Sequence, residues 1–238
     1  MVAQLDLGDI SVDVMFKDIK NVHLSVHPPT GRVRIAAPTR MSLETVRVFA
    51  ISKIGWIKRQ QRKLREQVRE APREYVERES HYLWGKRYLL RVIEGDNGTS
   101  VDVRHSQLLL QTKPGATVSE KRNLVATWYR QQVKSASSPL IAKWTPLIGV
   151  TIKAVYVRQM KTKWGSSNPV ARSIRLNTEL AKKPRECLEY IIVHEMTHLL
   201  EPTHNDRFLA MMERFMPNWR LCRDQLNQLP VRHEEWRY

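Results

Sequence analysis

No apolar run in the sequence reaches the roughly 20 residues that a membrane-spanning helix needs, so no membrane partner is expected. Cysteine is scarce. Cys187 and Cys222 are too few for a disulfide framework or a zinc ribbon, and are expected to be reduced thiols. There is no glycine-rich phosphate loop and no acidic cluster suited to magnesium, which argues against a conventional nucleotide enzyme. No internal repeat or low-complexity tract stands out. The opening MVAQLDLGDISVDV is acidic and alternating, unlike a signal peptide, and the expected location is cytoplasmic. Acidic residues are also in deficit: 24 Asp+Glu face 40 Lys+Arg, a net charge of +16. Such a field attracts anions, whether nucleotides, nucleic acids or acidic protein surfaces, without choosing among them.

What is present is a chain of 238 residues, long enough for one large domain or two small ones. Residues 10–38 alternate apolar and polar positions, broken by Pro-Pro-Thr-Gly, and predict strands. A long helix is predicted from Ser42 to about Glu70. Residues 53–73 within and after it hold eight Lys/Arg against two Glu, a pattern able to follow a phosphate backbone. Strands resume over 74–112, with hairpin turns expected at 82–88 and at EGDNGTS, 94–100. A second helix is predicted from Ser119 to about Trp144, with Leu124, Trp128, Val133, Leu140 and Ile141 on its buried side. Strands over 152–160 and 171–180 flank KTKWGSSNP, which reads as a turn. The fold class is therefore α+β. A β-rich N-terminal unit with one long basic helix is expected over 1–115. A mainly helical unit with a small sheet is expected over 116–238.

The chemistry concentrates at VHEMTHLLEPTH, residues 193–204. On a helix, His194 and His198 lie one turn apart on one face and can bind the same ion. Zinc favours nitrogen ligands, and a catalytic zinc takes three protein ligands with one position open. Glu195 falls beside the ion rather than on it, within reach of a bound water. Pro202 ends the helix near Leu200, so the chain can turn back and deliver His204 as third ligand. Glu201 is the rival third ligand, at the end of the same helix. Asn205 or Asp206 caps a following helix, whose Phe208, Met211, Met212 and Phe215 would clamp the ligand loop. The remaining histidines, at 23, 27, 81, 105 and 233, have no ligand spacing.

The segments RQMKTKWGSSN, IRLNTEL and YIIVHEMTHLLEPTHNDRFLAMMERFMPNWR resemble the YgjP-like family of predicted metal-dependent hydrolases, related to the SprT-like and other zincin metallopeptidases. HLSVHPPTGRVRIAAP and the helix through GWIKRQQ are similar to that family too. The resemblance implies a zincin-like C-terminal domain holding one Zn2+ on His194, His198 and His204, with Glu195 as the catalytic carboxylate. The family often has Trp-Gly-Ser-Cys where this chain has Trp164-Gly165-Ser166-Ser167, so no thiol acts there. The histidine spacing also matches the metzincins, but Glu201 stands where they have glycine.

Such a site activates a metal-bound water through Glu195 for hydrolysis, without naming the bond. A metallopeptidase is the leading expectation, since in zincins an extended substrate pairs with a strand along the site. Lys161, Lys163 and Trp164 are candidates to flank that groove. A nucleoside triphosphate pyrophosphatase with the same metal site is the first alternative, with Arg158, Lys161, Lys163 and Arg175 holding phosphates. A nucleic-acid-binding module with structural zinc is the second, although structural sites are usually closed by four ligands. Asn177 and Tyr190 are weaker site candidates, and the tail PVRHEEWRY either covers the site or frays.

Overall fold

The computed structural model describes residues 2–27, 30–66, 73–96, 98–160 and 163–228. Contacts divide the described chain near residue 71, into one compact unit ending at Glu66 and a second beginning at Arg73.

The first unit is a four-stranded sheet with two helices. Its strands are β1 (Val2–Leu7), β2 (Ile10–Lys17), β3 (His23–His27) and β4 (Arg32–Pro38), in the order β1-β2-β4-β3. Strand alternation decides what is buried. Ile10, Val12 and Val14 of β2 and Val33, Ile35 and Ala37 of β4 point one way and are buried. Val46 and Ala50 from α1 (Leu43–Ser52) and Ile57 from α2 (Ile54–Glu66) complete that core. Ser42 caps α1 by accepting from the Thr45 N–H. The single basic helix expected over 42–70 is thus two helices. The ladder shifts at Lys53, whose N–H reaches the carbonyls of Ala50 and Ile51. Val46, Ala50 and Ile57 keep helical phase across this break, which is why periodicity does not reveal it. Residues 67–70 of the expected helix lie outside the described residues.

The second unit opens with the same plan. Strands β5 (Ser80–Leu83), β6 (Lys86–Glu94), β7 (Ser100–Arg104) and β8 (Gln107–Thr112) run in the order β5-β6-β8-β7. Both sheets pair antiparallel, parallel, antiparallel across that order, and each leads to a helix capped by a hydroxyl residue, Ser42 or Thr117. The chain therefore does repeat a four-strand-and-helix module, although no shared residue string announces it. This topology also corrects the hairpin expected at 94–100: β8 lies between β6 and β7, so that segment is a crossover, and its Asn97 is outside the described residues. The hairpin at 82–88 joins β5 to β6.

The boundary near 71, instead of between 115 and 116, follows from the core. Leu90, Leu108 and Leu110 of this second sheet share one apolar cluster with Val125, Trp128 and Tyr129 of α3 (Val118–Ile148). The Tyr129 hydroxyl also donates to the Tyr82 carbonyl at 2.8 Å. Helix α3 begins at a capping box between Thr117 and Glu120 and ends at Gly149, which takes the left-handed φ of 77° that a helix stop favours. Of its expected stripe, Trp128 and Val133 are buried, while Leu124, Leu140 and Ile141 pack partly against the core. Near its C-terminal end, Glu189 accepts from both Lys143 Nζ at 2.7 Å and Trp144 Nε1 at 2.8 Å.

A small third sheet completes the unit: β9 (Ala154–Arg158), β10 (Gly165–Asn168) and β11 (Ser173–Asn177), in the order β10-β11-β9. The segment read as a turn, KTKWGSSNP, contains an edge strand of its own. Residues 165–168 pair antiparallel with β11, and β9 joins β11 in parallel. Helices α4 (Arg185–Thr197), α5 (Asp206–Phe215) and α6 (Trp219–Gln228) follow. Among the described residues, no helix is long and apolar enough to cross a membrane. Cys187 and Cys222 are free and buried.

Candidate metal centre

Helix α4 begins after Pro184 and is buried along most of its length, with Leu188, Ile192, Val193 and Met196 inaccessible to solvent. That burial fixes the helix and leaves its polar face to one cleft. His194 and His198 project from it one turn apart. The helix stops at Thr197, and the 3.0 Å bonds from the N–H groups of Leu200 and Glu201 to the Thr197 carbonyl close the final turn. Pro202 then turns the chain, and Asn205 caps α5 by accepting from the Phe208 N–H at 3.0 Å. His204 is held between these two fixed points.

The three Nε2 atoms converge, at 3.2 Å for His194–His198 and 3.1 Å for each of the other pairs. A point about 2 Å from all three exists, the length of a zinc–nitrogen bond. The donor set therefore fits a divalent ion. The imidazoles surround the buried ring of Phe208, with centroids 5.0, 4.5 and 4.8 Å away. The Nδ1 of His198 donates to the Glu201 carbonyl at 3.0 Å, which leaves Nε2 with its lone pair directed into the triad. Burial, reinforced by the other two imidazoles, pushes His194 down to about 3, and burial also lowers His198. Both are neutral at physiological pH, as ligands must be. The Glu201 carboxylate is engaged elsewhere, by the Thr203 hydroxyl at 3.2 Å and Arg207 at 3.9 Å, and the cluster able to hold an ion consists of the three histidines.

Glu195 is 6% exposed and lies under the edge strand β10. Burial pushes its carboxyl up to about 7, opposed by a hydrogen bond from Ser167 and the charge of Lys163. A divalent cation on the histidines would draw it down again. The strand approaches Glu195 closely. A Cβ on Gly165 would stand 2.7 Å from Glu195 Oε1, 2.8 Å from its Cγ and 2.9 Å from Ile191 Cγ2. Glycine is required here by approach, since its φ lies outside the left-handed region. Gly165→Ala is accordingly expected to fold and bind metal but to displace Glu195. A misplacement of this order costs roughly 100-fold in turnover. Hydrolysis at the wild-type rate by a metal-loaded Gly165→Ala protein would refute this tight fit.

A cleft of about 550 Å³ opens over the centre. Lys163 and Trp164 line it as expected, with Trp164 half-buried against the core and Lys183 Nζ 5.8 Å over its ring. Lys161 lies outside the described residues. Arg158 and Arg175 do not line the cleft. Arg158 is on β9, the strand farthest from β10, and its register partner is Asn177. Asn177 is structural: it accepts from the Met160 N–H at 3.3 Å and donates to the carbonyls of Met160 and Lys163 at 2.9 and 2.8 Å, fixing the approach to β10. Tyr190 lines the cleft, and burial pushes its phenol up to about 12. Sequence reasoning did not single out Gly165 or Ser167 as partners of Glu195. The available signal was the departure from the Trp-Gly-Ser-Cys pattern: the substituted position is the one whose hydroxyl meets the carboxylate.

Three converging histidines, two from the end of one helix and one from the loop after it, a buried carboxylate beside them and an edge strand over an open cleft define a metal-dependent hydrolase of the metallopeptidase kind. The chain belongs to the YgjP-like family: residues 20–229 match the model of the YgjP-like, metallopeptidase domain. Among solved structures, it is similar to the metallopeptidase zymogen jannalysin of Methanocaldococcus jannaschii, at 21% identity over 40% of this chain and 94% of that one, with a TM-score of 0.33. It is also similar to the zymogen abylysin of Pyrococcus abyssi, at 19% identity over 41% and 90%, with a TM-score of 0.32. No curated protein matches.

Proposed function

We propose that this chain is a zinc-dependent peptidase in which His194, His198 and His204 hold one ion and Glu195 is the general base. The observation that carries this reading is the convergence of three imidazoles beside a buried carboxylate, under an edge strand. When bound, the ion supplies Lewis acidity and makes water a nucleophile near neutral pH. Glu195 takes the proton of the attacking water and delivers it to the leaving amine. Ser167 and the backbone at Gly165 hold the carboxylate in place for both transfers. An extended polypeptide pairs with the outer edge of β10, which presents its carbonyl to the centre. A peptide reading is favoured over a phosphoanhydride one because neither Arg158 nor Arg175 lines the cleft, whose lysine and arginine side chains among the described residues are Lys163 and Arg223 alone. Removal of metal with a chelator is expected to abolish casein hydrolysis, and one equivalent of Zn2+ to restore it. Turnover of nucleotides but not casein by the reconstituted protein would overturn the reading.

A further inference from the structure

The cleft has a second end with its own chemistry. One turn before His194, Tyr190 forms its wall, and Arg223, Leu226 and Asn227 of α6 face it. Tyr190 is 5% exposed. Its ring has two aromatic neighbours: it stacks on Trp219 with centroids 6.4 Å apart and an interplanar angle of 14°, and meets His194 edge-on at 5.7 Å. Its hydroxyl has no hydrogen-bond partner among the described residues. The ring is buried but the hydroxyl opens into the cleft, where it can donate to a ligand. The Arg223 guanidinium is close enough to act on that phenol electrostatically and lies 5.1 Å over the Trp219 ring. Arg223 pairs with Asp224 at 2.9 Å, but the two side chains are 43% and 55% exposed, and exposed pairs of this kind hold each other weakly. Glu195 is the one acidic side chain among the described residues lining the cleft.

We propose that this end of the cleft is a specificity pocket for a carboxylate side chain, Asp or Glu, next to the scissile bond, with Tyr190 Oη and the Arg223 guanidinium as its donors. The proposal rests on the peptidase reading above. The chemistry is matched on each side. A guanidinium and a neutral hydroxyl satisfy a carboxylate, and Leu226 provides an apolar flank for its methylenes. A lysine in the same place meets Arg223 and is rejected. The free carboxylate of a peptide C-terminus offers the same chemistry and is distinguished by where the cuts fall.

The zinc-loaded full chain is incubated with casein, and the fragments are sequenced by mass spectrometry. Asp and Glu are expected to be enriched at one position flanking the cut. A matched Glu/Gln peptide pair copied from the preferred site should then differ about tenfold in kcat/KM, the effect of one charged hydrogen-bonding contact. That ratio should fall to about one in Tyr190→Phe and in Arg223→Gln. Tyr190→Phe keeps the stacked ring and removes a hydroxyl that bonds nothing among the described residues, so it separates recognition from folding. Cuts without acidic enrichment, or a ratio unchanged in both variants, overturn the pocket and leave the peptidase standing. Cuts confined to one residue from a free C-terminus reassign the carboxylate to the chain end and overturn the side-chain proposal. Absence of any cut overturns the peptidase reading and the pocket with it.

Discussion

Glu195→Gln should retain a full complement of zinc and lose between about 100-fold and 10,000-fold in turnover, the range associated with a positioned general base. The substitution is close to isosteric, so it keeps the packing beneath Gly165 and a partner for Ser167. It touches none of the three imidazoles that converge on the ion site. It removes only the ability to take a proton. A 1,000-fold loss corresponds to about 4 kcal/mol of transition-state free energy, more than one neutral hydrogen bond provides. Folding should not suffer, because the amide needs no charge in a site where burial already disfavours the carboxylate. Zinc content and casein turnover measured on the same preparation check this. Turnover within a few-fold of wild type, with zinc bound, would remove Glu195 from the proton-transfer role.

The centre was legible in the sequence because its chemistry is local. His194, Glu195 and His198 sit on one helix whose apolar lead-in, Tyr190 to Val193, declares the buried side. Pro202 marks the helix end, and Asn205 the next beginning. The opposite wall was not legible in the same way. Gly165 meets Glu195 across thirty positions of sequence, and the contact exists only because β9 and β11 pair in parallel and push residues 165–168 to the sheet edge. A hairpin reading of the same residues keeps the alternation and loses the edge strand. Arg158 failed as a cleft residue for the same reason: strand order, which periodicity cannot report, places it two strands away. The repeated module was hidden differently. Its two copies share pairing order and a capped helix, and alternation alone satisfies both without any common residue string.

The final ligand is decided by contrasting two neighbours. His204→Ala should lower zinc affinity by more than about 100-fold, beyond the 10–100-fold typical of losing a group that merely orients a ligand, and casein hydrolysis should fall to background. Two imidazoles on one helix remain, and they leave half of a tetrahedral ion open to solvent. The variant should still fold, because His204 is exposed while Phe208, beneath the triad, stays buried. Glu201→Ala should behave in the opposite way. It deletes a carboxylate engaged with Thr203 and Arg207, and keeps the backbone carbonyl that accepts from His198 Nδ1. Zinc stoichiometry by elemental analysis separates the two. Full zinc in His204→Ala with depleted zinc in Glu201→Ala would transfer the third ligand to the carboxylate. Depletion in His204→Ala alone would mean that Glu201 serves the site through its main chain, by fixing the tautomer and aim of His198, while the residue three positions later closes the triad.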